Sequence, residues 1–444
     1  TADPYVKKVW DGRYTGIRMC NQLLENIDRV PDLDPELKKR YIGEAKVLRA
    51  YNYYELYTKF GDVPYTTKVL SIKESMSIAR TDRATVIANM LADLDEVING
   101  NYLPTSYDAD NKGRITRWAA MAIKAKIYLF EGNWTQVKNI TSTIMTEGGF
   151  KLFGSYAGLF EIANEYNSEV ILDAQYRPTS REHQMMYAFL PPSLGGYSQL
   201  SPLQELVDSY IMLDGKTIRE TGTSFDESNP YANRDPRLKA TVMYTGNSYT
   251  LADGTEVVIN CEKGEGKDGY GVGSDCSATG YYIKKYWDNT YRATLYSGLN
   301  PILIRYADIL LMNAEALAEL GELDKTAWDA TIKPIRDRAG FTLASAVEFP
   351  EGASKDKLIE IVRNERRSEL ALEGHRHKDI IRWRIADNVL NGWCHGLKTN
   401  DVVGTDDGYV RVENRTFNAN RHYLWPIPQA ERDLNGNLEQ NPNW

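Results

Sequence analysis

Glu365 and Glu369 stand four residues apart in KDKLIEIVRNERRSELALEGHRHKDIIRW (355–383), a stretch that opens after Ser354 and has no Gly or Pro before Gly374. A Ser cap in front and a Gly stop behind predict one helix over 355–373. On such a helix the two carboxylates lie about 6 Å apart on one face, close to the separation a glycosidase needs for its two carboxyl groups. A glycoside hydrolase using Glu365 and Glu369 is therefore one reading. Winding the stretch at about 100° per residue, however, puts Glu365, Arg366, Glu369 and Glu373 in the same arc as Leu358, Ile359, Ile361, Val362, Leu370 and Leu372. A lone ionised carboxylate in an apolar interior costs several kcal/mol, so each needs a cation. Arg363, Arg366, Arg367, Arg376 and Arg382 are all within a few turns. This pattern favours a structural ion-pair cluster of Glu365, Arg366, Glu369 and Glu373 over an open catalytic cleft.

Glu373, His375, His377 and Asp379 form an E-x-H-x-H-x-D run that could hold a metal, but it straddles a helix stop, and no metal is expected. G-x-S-x-G, H-E-x-x-H and the phosphate-binding loop are missing, and Gly264 to Asp275 is glycine-rich without the Gly-Lys-Ser/Thr that would cradle phosphate. No cofactor and no catalytic residue is expected. What remains is a scaffold with aromatic and amide-bearing loops. A pyranose offers a weakly polar C–H face to an aromatic ring and a rim of hydroxyls to amides and charged groups. The chain has 29 Tyr and 9 Trp against 10 Phe, a bias toward rings with a polar handle, although packing between helices accounts for many of them. The candidate ligand-binding residues are Tyr65 in GDVPYTTK, Tyr107 in SYDADN, Tyr197 in LGGYSQ, and Trp287, Asn289 and Tyr291 in YWDNTYR, with Tyr270 as a further ring. WDNTY places two rings at i, i+4 around Asp288 and Asn289; the competing reading is that Trp287 covers the edge of a core. Tyr65, Tyr197, Trp287 and Tyr291 are expected to gather on one exposed face.

The elements that must hold these groups are mainly helical. Helical patterns occupy 6–30, 36–60, 81–98 and 118–131, broken by Pro31, Pro35 and Gly61. AKIYLFEGNW (125–134) and AEALAELGEL (314–323) share small residues on one helix, a glycine turn and a second helix, which is the grammar of tetratricopeptide hairpins. Trp134 accordingly reads as turn packing. From 150 to 300 helical periodicity fades into Gly, Pro, Asn and Tyr with short extended runs at 170–175 and 256–259, and a long irregular region inside a compact protein is usually functional. The expected fold is mainly α, as one domain over 1–444: a helical scaffold at about 1–149 and 301–385, an irregular ligand-binding lobe with short strands at about 150–300, and a loop-rich closing tail at 386–444 with Trp425 and Trp444 as plugs.

Net charge is −8 and the Lys and Arg residues form no long run, which disfavours a nucleic-acid partner. No apolar run approaches the roughly 18 residues of a membrane span. Cys20, Cys261, Cys276 and Cys394 show no metal spacing; Cys261 and Cys276 flank the glycine-rich loop and could pair.

The segment NERRSELALEGHRHKDIIRW resembles the signature of SusD/RagB-like nutrient-binding lipoproteins of the Bacteroidetes outer membrane. AKVLRAYNYYELYTKFGDVPYTT near the front, RYADILLMNAEALAELG, KPIRDRAG and the closing YLWPIPQAERDLNGNLEQNPNW match the same family in order, so the resemblance spans nearly the whole chain. His377 departs from it, since the family carries an aromatic there. The resemblance implies a cell-surface protein that is not an enzyme, that captures oligosaccharide and passes it to a SusC-like TonB-dependent transporter. It implies peptide as the alternative ligand within the family. It also implies an outer-membrane location, with a signal peptide and a lipid-bearing cysteine ahead of Thr1 as the sole membrane contact; Cys20, in a helical pattern, is a poor candidate for that anchor.

Overall fold

The computed structural model describes residues 3–290 and 295–444, and they divide into two compact units. The first comprises 1–148, 377–390 and 417–444. Its five longest helices share one way of starting. Asp3, Asp34, Asp82, Thr116 and Asn133 each accept a backbone N–H in the first turn of Pro4–Asn26, Pro35–Phe60, Arg83–Asn99, Arg117–Phe130 and Trp134–Glu147. Such caps satisfy donors that the helix itself leaves free. Each of these helices packs on the next, and Ala119, Ala120, Ala122 and Ala125 are fully buried, so small side chains set the close approach. Gly132, at φ +70°, turns the chain between the last two helices, beside the ring of Trp134.

Charge is buried in this unit as a matched set. Arg49 donates from Nε (3.0 Å) and Nη2 (2.6 Å) to Asp93 and from Nη1 to Asn21 (3.0 Å). The tail is tied to the Pro35–Phe60 helix. The Trp425 N–H donates to Lys59 O (2.7 Å), its ring meets Phe60 edge-on at 5.8 Å, and Asn441 donates to Phe60 O and Trp425 O. Trp444 closes on Leu424 O through its indole N–H (2.9 Å).

The second unit comprises 149–376 and 391–416. Its helices Tyr306–Leu320, Lys325–Ala339 and Lys355–Glu369 pack together, the first two joined across Gly321 at φ +74°. Around them run short antiparallel pairs: Val170–Asp173 with Ile302–Arg305, Val242–Met243 with Tyr282–Ile283, and Ser248–Thr250 with Glu256–Val258. Met186, Leu190, Val207, Tyr210, Leu238, Tyr249 and Tyr282 form the main core of this region.

Two expectations are corrected and one open possibility is closed. The helix predicted to reach 373 ends at Glu369, and Leu372 takes φ +63°. The cause is tertiary: Arg305 Nη2 donates to Glu369 O (2.7 Å) and Lys285 Nζ to Ala371 O (2.9 Å), so buried cations take the carbonyls that another helical turn would have directed along its axis. The tail is less loop-rich than expected, since Gly392–Lys398, Tyr409–Arg415 and Thr405–Asp406 form a three-stranded sheet. Inside the strand Gly392–Lys398 a glycine would ordinarily be a weak point. Gly396 is instead a place where backbone approaches backbone, a Cβ there falling 2.6 Å from Thr279 O. Finally, Cys261 and Cys276 are free thiols, and Cys276 Sγ donates to Lys267 O at 3.2 Å.

Candidate functional site

The glutamates with catalytic spacing lie in the second unit and are both ion-paired to arginines. Glu369 accepts from Arg305 Nη1 (2.6 Å), Arg237 Nη1 (2.8 Å) and Arg338 Nη2. Glu365 pairs with Arg336 Nε (2.8 Å) and Arg237 Nη1 (2.7 Å). Glu373 takes Arg305 Nε (2.8 Å) and Lys285 Nζ (2.6 Å), and Arg366 holds Asp308 (2.6 Å). Asp235 and Glu169 complete the group, the first on Arg237 (2.7 Å), the second on Arg305 (2.6 Å) and Arg338 (3.0 Å).

All these side chains are buried. Burial by itself would raise the glutamate pKa values; for Glu369 the guanidiniums of Arg338, Arg305 and Arg237 outweigh it and hold the carboxyl well below the usual range. Glu365 and Glu373 are lowered in the same way. A glycosidase acid must instead hold a proton at working pH, which takes a raised pKa and an open cleft. Within the metal-like run, Glu373 is occupied by Arg305 and Lys285, while His377 packs edge-on to Trp425 in the other unit.

The ring candidates divide between the units. In the first, Tyr65 is half-buried, its ring 4.6 Å from that of Tyr53, with its phenol pushed up to about 12 by burial. Tyr107 is anchored by its hydroxyl, which donates to Ile115 O (3.1 Å) and reaches Glu44 (3.3 Å). In the second unit, Tyr197 is 41% exposed and lies parallel to Tyr187 with ring centroids 4.1 Å apart. Trp287 is half-buried; its indole N–H donates to Thr250 O (2.9 Å) and its ring meets Tyr249 at 5.1 Å. Asn289 is exposed, whereas Asp288 turns inward to accept from Thr290 (2.6 Å) and from Ser297. Tyr291 lies outside the described residues.

Tyr187 is a ring that the sequence reading missed, and the signal was the double glycine before Tyr197. Gly195 takes φ +85°, and a Cβ on Gly196 would sit 2.1 Å from Leu190 O. These two residues fold the loop back, so that Tyr197 N–H donates to Tyr187 O (2.9 Å) and one ring covers the other. A second stacked pair, Tyr231 and Tyr244 (4.0 Å), and the exposed Trp393 beside Arg411 were also missed. Stacked phenol rings provide a stiff flat surface with polar edges, the form a sugar face fits.

Comparison with known proteins extends this reading. Residues 1–129 match a family described as starch-binding associating with outer membrane, and residues 159–444 match the SusD family. A SusD-like protein (P25) of Formosa agariphila is 28% identical over 410 residues, covering 87% of this chain and 71% of that protein. A SusD-like carbohydrate binding protein from Bacteroides fragilis superimposes with a TM-score of 0.87 at 30% identity, over 99% of this chain and 87% of that one. A laminarin binding SusD-like protein shares the fold at a TM-score of 0.66 and 24% identity, over 98% and 85% of the two chains. With more than half of its length matched by the family model and its helical-hairpin architecture found in these structures, the chain belongs to the SusD family of carbohydrate-binding proteins.

Proposed function

We propose that the whole chain, as one SusD-like domain, is a cell-surface glycan-binding protein, held at the outer membrane by an N-terminal lipid, that captures oligosaccharide and delivers it to a SusC-like TonB-dependent transporter. The observation that carries this reading is the Tyr187–Tyr197 stack: a ring 41% exposed, stiffened from behind by a second ring and held by a glycine-folded loop. Trp287 and Asn289, with Tyr291, supply further ring and amide contacts in the same unit. Tyr65 and Tyr107 are carried as separate contacts of the other unit. The protein is read as non-enzymatic because Glu365 and Glu369, its best-spaced carboxylates, are buried among arginines.

Stacking and shallow hydroxyl contacts leave much of a sugar in water, so affinity is expected at about micromolar to millimolar, about −4 to −8 kcal/mol. A glycan array followed by affinity electrophoresis on the bound polysaccharide tests the proposal. Tyr197→Ala and Trp287→Ala should each weaken retention at least about tenfold with an unchanged melting curve. Undiminished binding in both folded variants, or capture of peptides and no glycan, would refute it.

A further inference from the structure

A cavity of about 340 Å³ in the first unit is lined, among the described residues, by four arginines, Arg83, Arg382, Arg384 and Arg421, and by no carboxylate. In a chain of net charge −8 this is a local reversal of sign. Two of the four are compensated from behind: Arg83 by Glu131, and Arg382 by Asp379, which accepts at 3.0 and 2.9 Å. Arg384 and Arg421 have no carboxylate partner among the described residues. Asp387 accepts from the Tyr423 hydroxyl at 2.8 Å.

The guanidiniums are also held in fixed planes. Arg384 lies over Tyr423 (4.3 Å), Arg421 over Trp444 (4.0 Å), and Arg83 over Tyr57 (5.5 Å) and Phe130 (5.7 Å). Stacking uses the face of a guanidinium and leaves its N–H edge free, the edge that grips a carboxylate or sulfate with paired bonds. The Nε atoms of Arg83 and Arg421 are buried and find no acceptor among the described residues. A buried donor without an acceptor is costly, so an occupant that accepts here is favoured.

We propose that this cavity binds an oxyanion carried on a sugar ring, either a uronate carboxylate or a sulfate ester, with Arg384 and Arg421 as its principal donors. The volume admits one acidic pyranose, and Arg384 and Asn420 at the rim are exposed to incoming ligand. That a sugar carries the anion rests on the glycan-binding reading; that an anion binds here does not, since the cavity shares no residue with the Tyr197 loop.

Calorimetry at low salt on the full chain tests this, with glucuronate, glucose 6-sulfate, glucose and inorganic sulfate as probes. One or both acidic sugars should bind at least about tenfold more tightly than glucose, and binding should fall steeply as salt rises. Which of the two binds identifies the anion. Arg384→Gln and Arg421→Gln, each checked for an unchanged melting curve, should each weaken it about tenfold or more, while Tyr197→Ala should leave it intact. Acidic sugars that bind no better than glucose, or binding that survives both folded arginine variants, would overturn the site. Inorganic sulfate binding as tightly as the sulfated sugar would overturn the sugar assignment. Loss of acidic-sugar binding in Tyr197→Ala with both arginine variants silent would return the ligand to the aromatic platform.

Discussion

Replacing Glu369 by alanine removes one charge from a buried set in which Asp235, Asp308, Glu169, Glu365, Glu369 and Glu373 balance Arg237, Lys285, Arg305, Arg336, Arg338 and Arg366. Breaking a buried pair by removing one partner typically costs 3–5 kcal/mol, because the other charge is left uncompensated. Here the loss is shared. Arg237 keeps Asp235 and Glu365, Arg305 keeps Glu169 and Glu373, and Arg338 keeps Glu169. The low end of that range, about 3 kcal/mol, is therefore expected.

The second unit has about 250 residues. At about 2.1 cal/mol/K per residue its unfolding entropy is near 0.5 kcal/mol/K, so the loss should appear as a fall of about 6 °C in its calorimetric transition. The double variant Glu369→Ala/Arg338→Ala restores neutrality and should lose clearly less than the sum of the two single changes. A shift below about 2 °C for Glu369→Ala, or strictly additive losses, would show that the cluster is not an electrostatic lock and would sink the argument.

Further outcomes follow from the same contacts. Glu365, Glu369 and Glu373 are depressed in the folded state below an unfolded value of about 4.3, so their stabilisation is complete above that pH and is withdrawn as pH falls toward their folded values. Urea titrations between pH 3 and pH 6 should show the second unit losing stability only below about pH 4.5, and a flat profile there would contradict the pairing. Gly196→Ala should open the 190–197 loop, because its Cβ would meet Leu190 O at 2.1 Å; the expected result is weakened glycan retention with most of the fold intact by circular dichroism. Ellman's reagent should titrate the half-exposed Cys276 in the native protein, and Cys20, Cys261 and Cys394 only after unfolding. Fewer than four thiols in the unfolded, unreduced chain would reveal a bridge.

Local chemistry in the sequence was enough for the helices of the first unit. Asp, Thr and Asn caps, glycine stops and alanine-rich faces act over a few residues, so 36–60 and 118–131 were legible to within a residue or so of Pro35–Phe60 and Arg117–Phe130. The burial of Glu365 and Glu369 was legible too, because helical winding forces their side chains onto an apolar arc. Their partners were not. Arg237, Arg305, Arg336 and Arg338 come from elements up to 132 residues away, and their chemistry decided both the charge state of the glutamates and the early end of the helix at Glu369. The tail sheet and the Tyr187–Tyr197 stack escaped for a related reason. A strand or a ring platform exists only when a second segment arrives at the right register, and Gly196 and Gly396 earn their places through close approach to Leu190 and Thr279 rather than through any turn of their own. The cavity with four arginines is the extreme case, since those arginines are spread over three stretches of chain that read separately as a helix start, a signature segment and a tail.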